Sequence, residues 1–408
     1  MSMFRTLIAI TTKADNKGVV FMKKKLAVIL AAVMLTACAK APENVKEKKH
    51  YENSEVAVTR EMISPKELQS SSEKVLNKQQ KQFRIDRARL ELPSKISALE
   101  FTQISGFEKN YERVFDDMLG RELWSGEKVD KQTASKENGG MTTYSFRNES
   151  KKMYACTGDN GFITFIKPES FDDPYTTEAE TVRVYDVSKG QTSGDKYRLT
   201  DGEYSIAEAV SFTEKWIKEN YAKYEPDYEM KVKNVTVKKS GGSFCFAVCV
   251  GKKFEGVSLD SLAIIAQKDE QKKVKNTISK LDLTIHKRAD VSSFTNGVGM
   301  IKPIVKSEIN ELLSLQSVMD ICMDKFTAFN EISVKSIGLK YTAEPIYTES
   351  DKYKNAYYNP GRKFTSHILW ELIVGTGERE KSDNKVRYIY VDAQTGEVEF
   401  DFDGITVT

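Results

Sequence analysis

The sequence predicts an α+β fold built from repeated units, each with one helix packed on a small antiparallel sheet. Three observations carry that expectation. Apolar residues recur at helical spacing in only a few short stretches, such as Phe107, Tyr111, Val114, Phe115 and Met118. Between those stretches lie β-rich runs bounded by Gly, Asn and Asp, as strands and hairpins require. The order of one helix followed by strands and a hairpin then recurs along the chain.

The chain opens on a segment to be left out of fold reasoning. From Met22, Lys23, Lys24 and Lys25 precede an unbroken apolar run, Leu26 to Leu35. That run is about half the length needed to cross ~30 Å of hydrocarbon as a helix. A positive stretch followed by a short apolar stretch is the pattern of a signal peptide. Residues 1–21 fit no targeting pattern, so Met22 is the expected start. Residues 1–37 hold six Lys or Arg and one Asp, whereas the whole chain is +3, so the remainder is about −2. The apparent basicity therefore belongs to the leader, and no basic excess remains for nucleic acid.

The apolar run closes on Leu35-Thr36-Ala37-Cys38. This sequence resembles the lipobox of bacterial lipoproteins, with Thr36 a less common residue at its position. The resemblance implies cleavage before Cys38 and a diacylglycerol thioether on its thiol, with palmitate-type acylation of the new amine. Two or more acyl chains anchor stably where one is marginal. The implied location is the extracytoplasmic face of a cell membrane, with a Gram-positive host as the expectation. Residues 38–60 are polar and charged with little apolar period, which predicts a lipidated, flexible tether.

The folded part divides by expectation into an N-terminal α+β domain over 61–190, a central unit over 191–300 and a C-terminal unit over 301–408. The first has helices near 65–82 and 106–120, a strand at 142–146 and a hairpin over 153–166 turning at Gly158-Asp159-Asn160-Gly161. In the second, Ser205 with Glu208 forms a capping box that opens a helix over 205–221. Strands follow at 228–238, 243–250 and 280–287. The third has a helix at 314–326, then strands at 334–345 and 364–375 and a hairpin over 386–402.

That last hairpin runs Tyr388-Ile389-Tyr390-Val391 into Asp392-Ala393-Gln394-Thr395-Gly396. Asp392 suits acceptance of backbone N–H bonds across the turn, and Gly396 suits a left-handed closing residue. With Trp370, Leu372 and Val374 on the preceding strand, residues 312–402 resemble the PepSY-like domain of exported and membrane-anchored bacterial proteins. Helix 205–221 and its strands resemble a degenerate copy. The overall build also resembles accessory proteins of cell-wall sensor kinases. These resemblances imply a binding, inhibitory or regulatory module, acting in envelope signalling or on an exported protease. They bring no catalytic residue.

Few residues offer chemistry. After Cys38, four cysteines remain: Cys156, Cys245, Cys249 and Cys322. Cys245 and Cys249 sit on one strand about 13 Å apart, whereas a disulfide needs Cα atoms within ~7 Å. Buried free thiols are the expectation, although an exported chain can pair such cysteines. No His or CxxC partner lies near them, so no zinc site is expected. Ser366 and His367 are adjacent on a strand and point apart. No HExxH, GxxxxGK[ST] or GxSxG sequence occurs. The sequence thus predicts a non-enzymatic protein with no cofactor and no metal, whose partner is a protein, a peptide or a cell-wall component. An extracellular hydrolase of another type is the alternative. The Tyr-rich loop carrying Tyr353, Tyr357 and Tyr358 is the candidate recognition surface, because Tyr gives large contacts at low entropy cost.

Overall fold

The computed structural model describes residues 60–401 apart from 77–78, 82, 86–87, 135–139, 169–178, 188–189, 191–193, 241, 260–262, 266–274, 278–280, 298, 328–331, 346–360 and 377–386. Its helices are α1 (Pro65–Glu73), α2 (Tyr111–Leu119), α3 (Arg121–Trp124), α4 (Ile206–Trp216) and α5 (Leu315–Lys325). α4 and α5 each open on a capping serine. In α4 the Ser205 hydroxyl accepts from Glu208 N at 3.2 Å, and the Glu208 carboxylate accepts from Ser205 N at 2.8 Å. The predicted capping box is therefore made on both sides. α4 continues as a π-helical turn, Ile217–Tyr221, and a short 3-10 turn, Ala222–Tyr224. α5 buries Leu315, Val318, Met319 and Cys322, and Ser314 caps it by accepting from Ser317 N. Among the described residues no helix is long and apolar enough to cross a membrane.

Apart from three two-stranded pairs, the described strands join one large sheet rather than a series of small ones, which corrects the expected fold class. The described chain is mostly β, and nineteen strands join in one mixed hydrogen-bonded network. The helices occur near their expected places, but the strands around them pair sideways across unit boundaries. Ser97–Gln103 pairs with Ile301–Glu308, about two hundred positions later in the chain. Ile332–Pro345 receives parallel neighbours from Phe83–Arg84, Arg89–Glu91 and Ser258. Alternation along a strand reports which face is buried, not which strand lies alongside it. A pattern of one helix and several strands therefore fits many small sheets or one large one.

Buried side chains form two clusters, and they do not follow chain order. One spans residues 114–300 and includes Phe115, Phe165, Tyr221, Phe246 and Phe294. Its sheet is an antiparallel series running from Glu180–Asp186 through Glu229–Ser240, Ser243–Phe254, Leu281–Ile285, Ser293–Thr295, Ile163–Ile166 and Met153–Gly158 to Thr142–Asn148 and Asp130–Thr133. We call this the middle lobe. The other cluster joins residues 68–101, with Val257 and Leu259, to residues 301–393, and includes Trp370, Tyr341, Phe101 and Phe326. We call this the outer lobe. Its α5 lies against the sheet of Ile332–Pro345, Lys363–Thr376, Arg387–Asp392 and Val398–Asp401. Strand Ser243–Phe254 leaves the middle lobe, and Val257–Ser258 returns beside it to reach the outer sheet.

Candidate functional site

The D-A-x-T-G hairpin has the local chemistry its sequence implies. Asp392 Oδ1 accepts from Gln394 N at 2.9 Å and from Thr395 N at 2.7 Å. Gly396 N donates to the Asp392 carbonyl at 2.9 Å, with Gly396 at φ 76°. A Cβ at Gly396 would lie 2.9 Å from Ile321 Cδ1, so the Ile321 tip would have to shift, and the left-handed φ itself disfavours a side chain there. Ala393 is buried between two partners: its N–H donates to Ile368 O, and its carbonyl accepts from Leu313 N, each at 2.8 Å. Trp370 Nε1 donates to Leu313 O at 3.0 Å. The hairpin is thus bolted to the sheet and to the entry of α5.

Beside it lies an open hollow of about 250 Å3, lined by Arg60, Ile321, Asp324, Lys325, Gly396 and Val398. Arg60 also donates to the Thr395 carbonyl at 2.7 Å. The hollow's lining mixes charged residues of both signs with Ile321 and Val398.

The other sequence-predicted residues fall as follows. Cys38 and the recognition tyrosines Tyr353, Tyr357 and Tyr358 lie outside the described residues. Cys156, Cys245, Cys249 and Cys322 are free thiols. Burial pushes the Cys156 thiol up to about 11 and the Cys322 thiol up to about 12, so both stay protonated and weakly nucleophilic at neutral pH. Ser366 follows Phe364 and Ile368 toward the core side of the strand, while His367 is exposed on the other. His367 Nδ1 lies 3.8 Å from Asp392 Oδ2, a proximity that strand pairing creates across Leu369↔Asp392. His286 is buried, and its carbonyl accepts from Thr200.

Two buried lysines were not singled out by sequence. Lys252 continues the inward row Phe246, Val248, Val250 and is 2% exposed at its side chain. Its Nζ pairs with Glu225 Oε2 at 2.5 Å and lies 5.7 Å from the ring centre of Tyr221 and 5.8 Å from that of Tyr228. Tyr221 OH also donates to Glu225 Oε2, and Asn296 Nδ2 donates to Tyr221 OH at 3.1 Å. Burial, first, and the Glu225 charge push the Tyr221 hydroxyl well above its ordinary range, so it remains a donor. Lys340 is 1% exposed and pairs with Glu371 Oε2 at 2.6 Å, under the rings of Tyr388 and Tyr390. Period-2 alternation is the one signal that marks Lys252, as a cation placed in an apolar row. Lys340 shares a face with Ser336 and Gly338, and the sequence gives it no such mark.

No family model matches this chain, and no curated protein matches it. A solved structure of an uncharacterized protein from Eubacterium rectale is similar, with a TM-score of 0.51 at 10% identity over 78% of this chain and 91% of that one. A match that wide takes in strands of both lobes. At that identity the likeness speaks to the fold alone.

Proposed function

We propose that the chain is a lipid-anchored, extracytoplasmic, non-catalytic protein that binds a protein, a peptide or a cell-wall component. The observation that carries this reading is the ordered leader: three lysines, an uncharged apolar run, then Leu35-Thr36-Ala37-Cys38. A thiol at that place is the group that takes a diacylglycerol, and the anchor holds the folded part at the membrane surface.

The non-catalytic part is supported by how the reactive groups are engaged. Asp392 caps a turn, Glu225 and Glu371 neutralise buried lysines, and Cys156 and Cys322 are buried thiols. The binding surface is the outer lobe around its D-A-x-T-G hairpin, which is supported by the PepSY-like pattern of residues 312–402 and by the neighbouring hollow. In that reading the protein acts by occupying a partner, in envelope signalling or in restraint of an exported protease.

The test is a pull-down from native membranes with the anchor intact, beside turnover assays of purified residues 39–408 on peptides, glycans and esters. Capture of a partner that is lost on Ile321→Asp at the hollow, with no turnover, is the expected result. Robust turnover abolished by one point substitution would establish the hydrolase instead.

A further inference from the structure

In the middle lobe the strand Met153–Gly158 carries an inward row that turns from apolar to polar. Met153 and Ala155 belong to the core, and Thr157 and Asp159 continue at the same spacing of two. Thr157 stands opposite Tyr144, whose ring stacks on Tyr111 of α2 with centroids 4.4 Å apart. Opposite residues share a face, so Thr157 faces the helical side of the sheet. The ladder runs one residue beyond the strand, since Asp159 N donates to Thr142 O at 2.9 Å and Thr142 N to Asp159 Oδ2 at 3.0 Å. A 3-10 turn, Phe107–Asn110, covers this end and leads into α2. Phe107 N ties it down by donating to Asp159 O at 3.0 Å.

Three side-chain oxygens are left over at this place. Thr157 is fully buried, and its hydroxyl has no hydrogen-bond partner. Asp159 Oδ1 and Glu108 Oε2 are likewise buried without a partner. Among the described residues no Lys or Arg is paired with either carboxylate. The two acids lie within Coulombic reach of each other, because the Glu108 charge adds to burial in raising the Asp159 carboxyl. Buried acceptors without donors are costly, and neighbouring negative charges add to the cost. A water molecule there would donate to two of the oxygens and leave both charges in place.

We propose that Glu108 Oε2, Thr157 Oγ1 and Asp159 Oδ1 are three ligands of a calcium site that pins the 3-10 turn to the hairpin. Donors that are all oxygen, two of them carboxylate, suit a hard cation rather than zinc or copper. Calcium accepts an irregular shell completed by water, whereas magnesium demands a near-ideal octahedron. The donors here come from a strand and a turn, which preset no octahedron. Two carboxylates place the affinity in the weak range, with a Kd of about 0.1–1 mM.

The experiment is calorimetric titration of the full chain, stripped with a chelator, with calcium chloride, beside thermal unfolding in both conditions. One calcium per chain is expected to bind, and about 10 mM calcium should raise the melting temperature by about 2–4 °C. Magnesium should give a smaller shift. Glu108→Gln keeps the length and removes a charge, so it should weaken calcium binding by about tenfold or more. In chelator the same variant should melt no lower than the parent, because the repulsion between the acids is gone. Absence of calcium binding overturns the site, as does binding that Glu108→Gln leaves unchanged. An equal shift with magnesium overturns the calcium assignment. A melting temperature that rises in acid but not with calcium also overturns it, because a shared proton then satisfies the carboxyls. Should Glu108→Gln fail to fold, Thr157→Val is read by the same titration.

Discussion

Each lobe hides a lysine beneath two tyrosines, and the two arrangements differ in where their partners come from. Around Lys252 the partners come from the helical turns of residues 221–228, which lead into the strand whose Met230 stands opposite Lys252, and Asn296 bonds the Tyr221 hydroxyl behind them. Around Lys340 they come from neighbouring strands of one sheet, with Gly338↔Glu371 and Glu371↔Tyr390 in register. Lys340 and Glu371 are therefore diagonal neighbours on a sheet face. Their surroundings also differ in water access: Glu371 keeps 14% side-chain exposure, whereas Glu225 keeps 4%. The same residue types thus tie a helical turn to a strand in one place and pair neighbouring strands in the other.

The difference predicts unequal costs. Lys252→Met leaves Glu225 buried without its cation and should destabilise by about 3–5 kcal/mol, read from the denaturant midpoint. Lys340→Met leaves a carboxylate that can reach water, and about 1–2 kcal/mol is expected. Equal losses would break the comparison.

Within the outer lobe, the hairpin offers a test that should not touch the middle lobe. Gly396→Ala forces a side chain into a left-handed residue against Ile321 and should cost about 1–3 kcal/mol. If the two lobes are packed independently around their own cores, exchange at Val235 in the middle lobe stays as it was.

The smallest expected effect concerns pH in the middle lobe. Burial, with the nearby Glu108 carboxylate, holds the Asp159 carboxyl above its ordinary range, although Thr142 N donates to it at 3.0 Å. A carboxyl whose folded pKa is raised contributes stability below its unfolded pKa. That contribution is lost as pH rises through the folded pKa. Asp159→Asn keeps an acceptor for Thr142 and removes the charge. Its melting temperature should exceed that of the parent at pH 7, and the two should converge in acid. A variant that melts lower at both pH values would contradict the assignment.

Local elements were legible in the sequence because their signals are local. The Ser205–Glu208 box, the Gly158–Gly161 turn and the Asp392–Gly396 loop each lie within a few residues. Helix α1 ends at Glu73 rather than near residue 82, and Gln79–Gln80 is a strand. Lateral strand order was not legible. Ser97–Gln103 and Ile301–Glu308 each alternate or expose their faces in ways that name no partner, and loop length alone does not choose one. The surroundings of Lys252 were hidden for the same reason. Lys252 could be marked as a cation in an inward row, but Glu225, Tyr228 and Asn296 reach it only through the fold.

The lipid anchor is the centre of the functional account, and Cys38→Ser tests it most directly. Membrane and soluble fractions of cells carrying the parent and the variant are compared, with intact-mass analysis of each. The account predicts that the parent is a cleaved, acylated membrane protein beginning at Cys38. The variant should be released or remain an unprocessed precursor without lipid. Unchanged processing and retention of Cys38→Ser in the membrane, by a chain without acyl mass, would contradict the anchor.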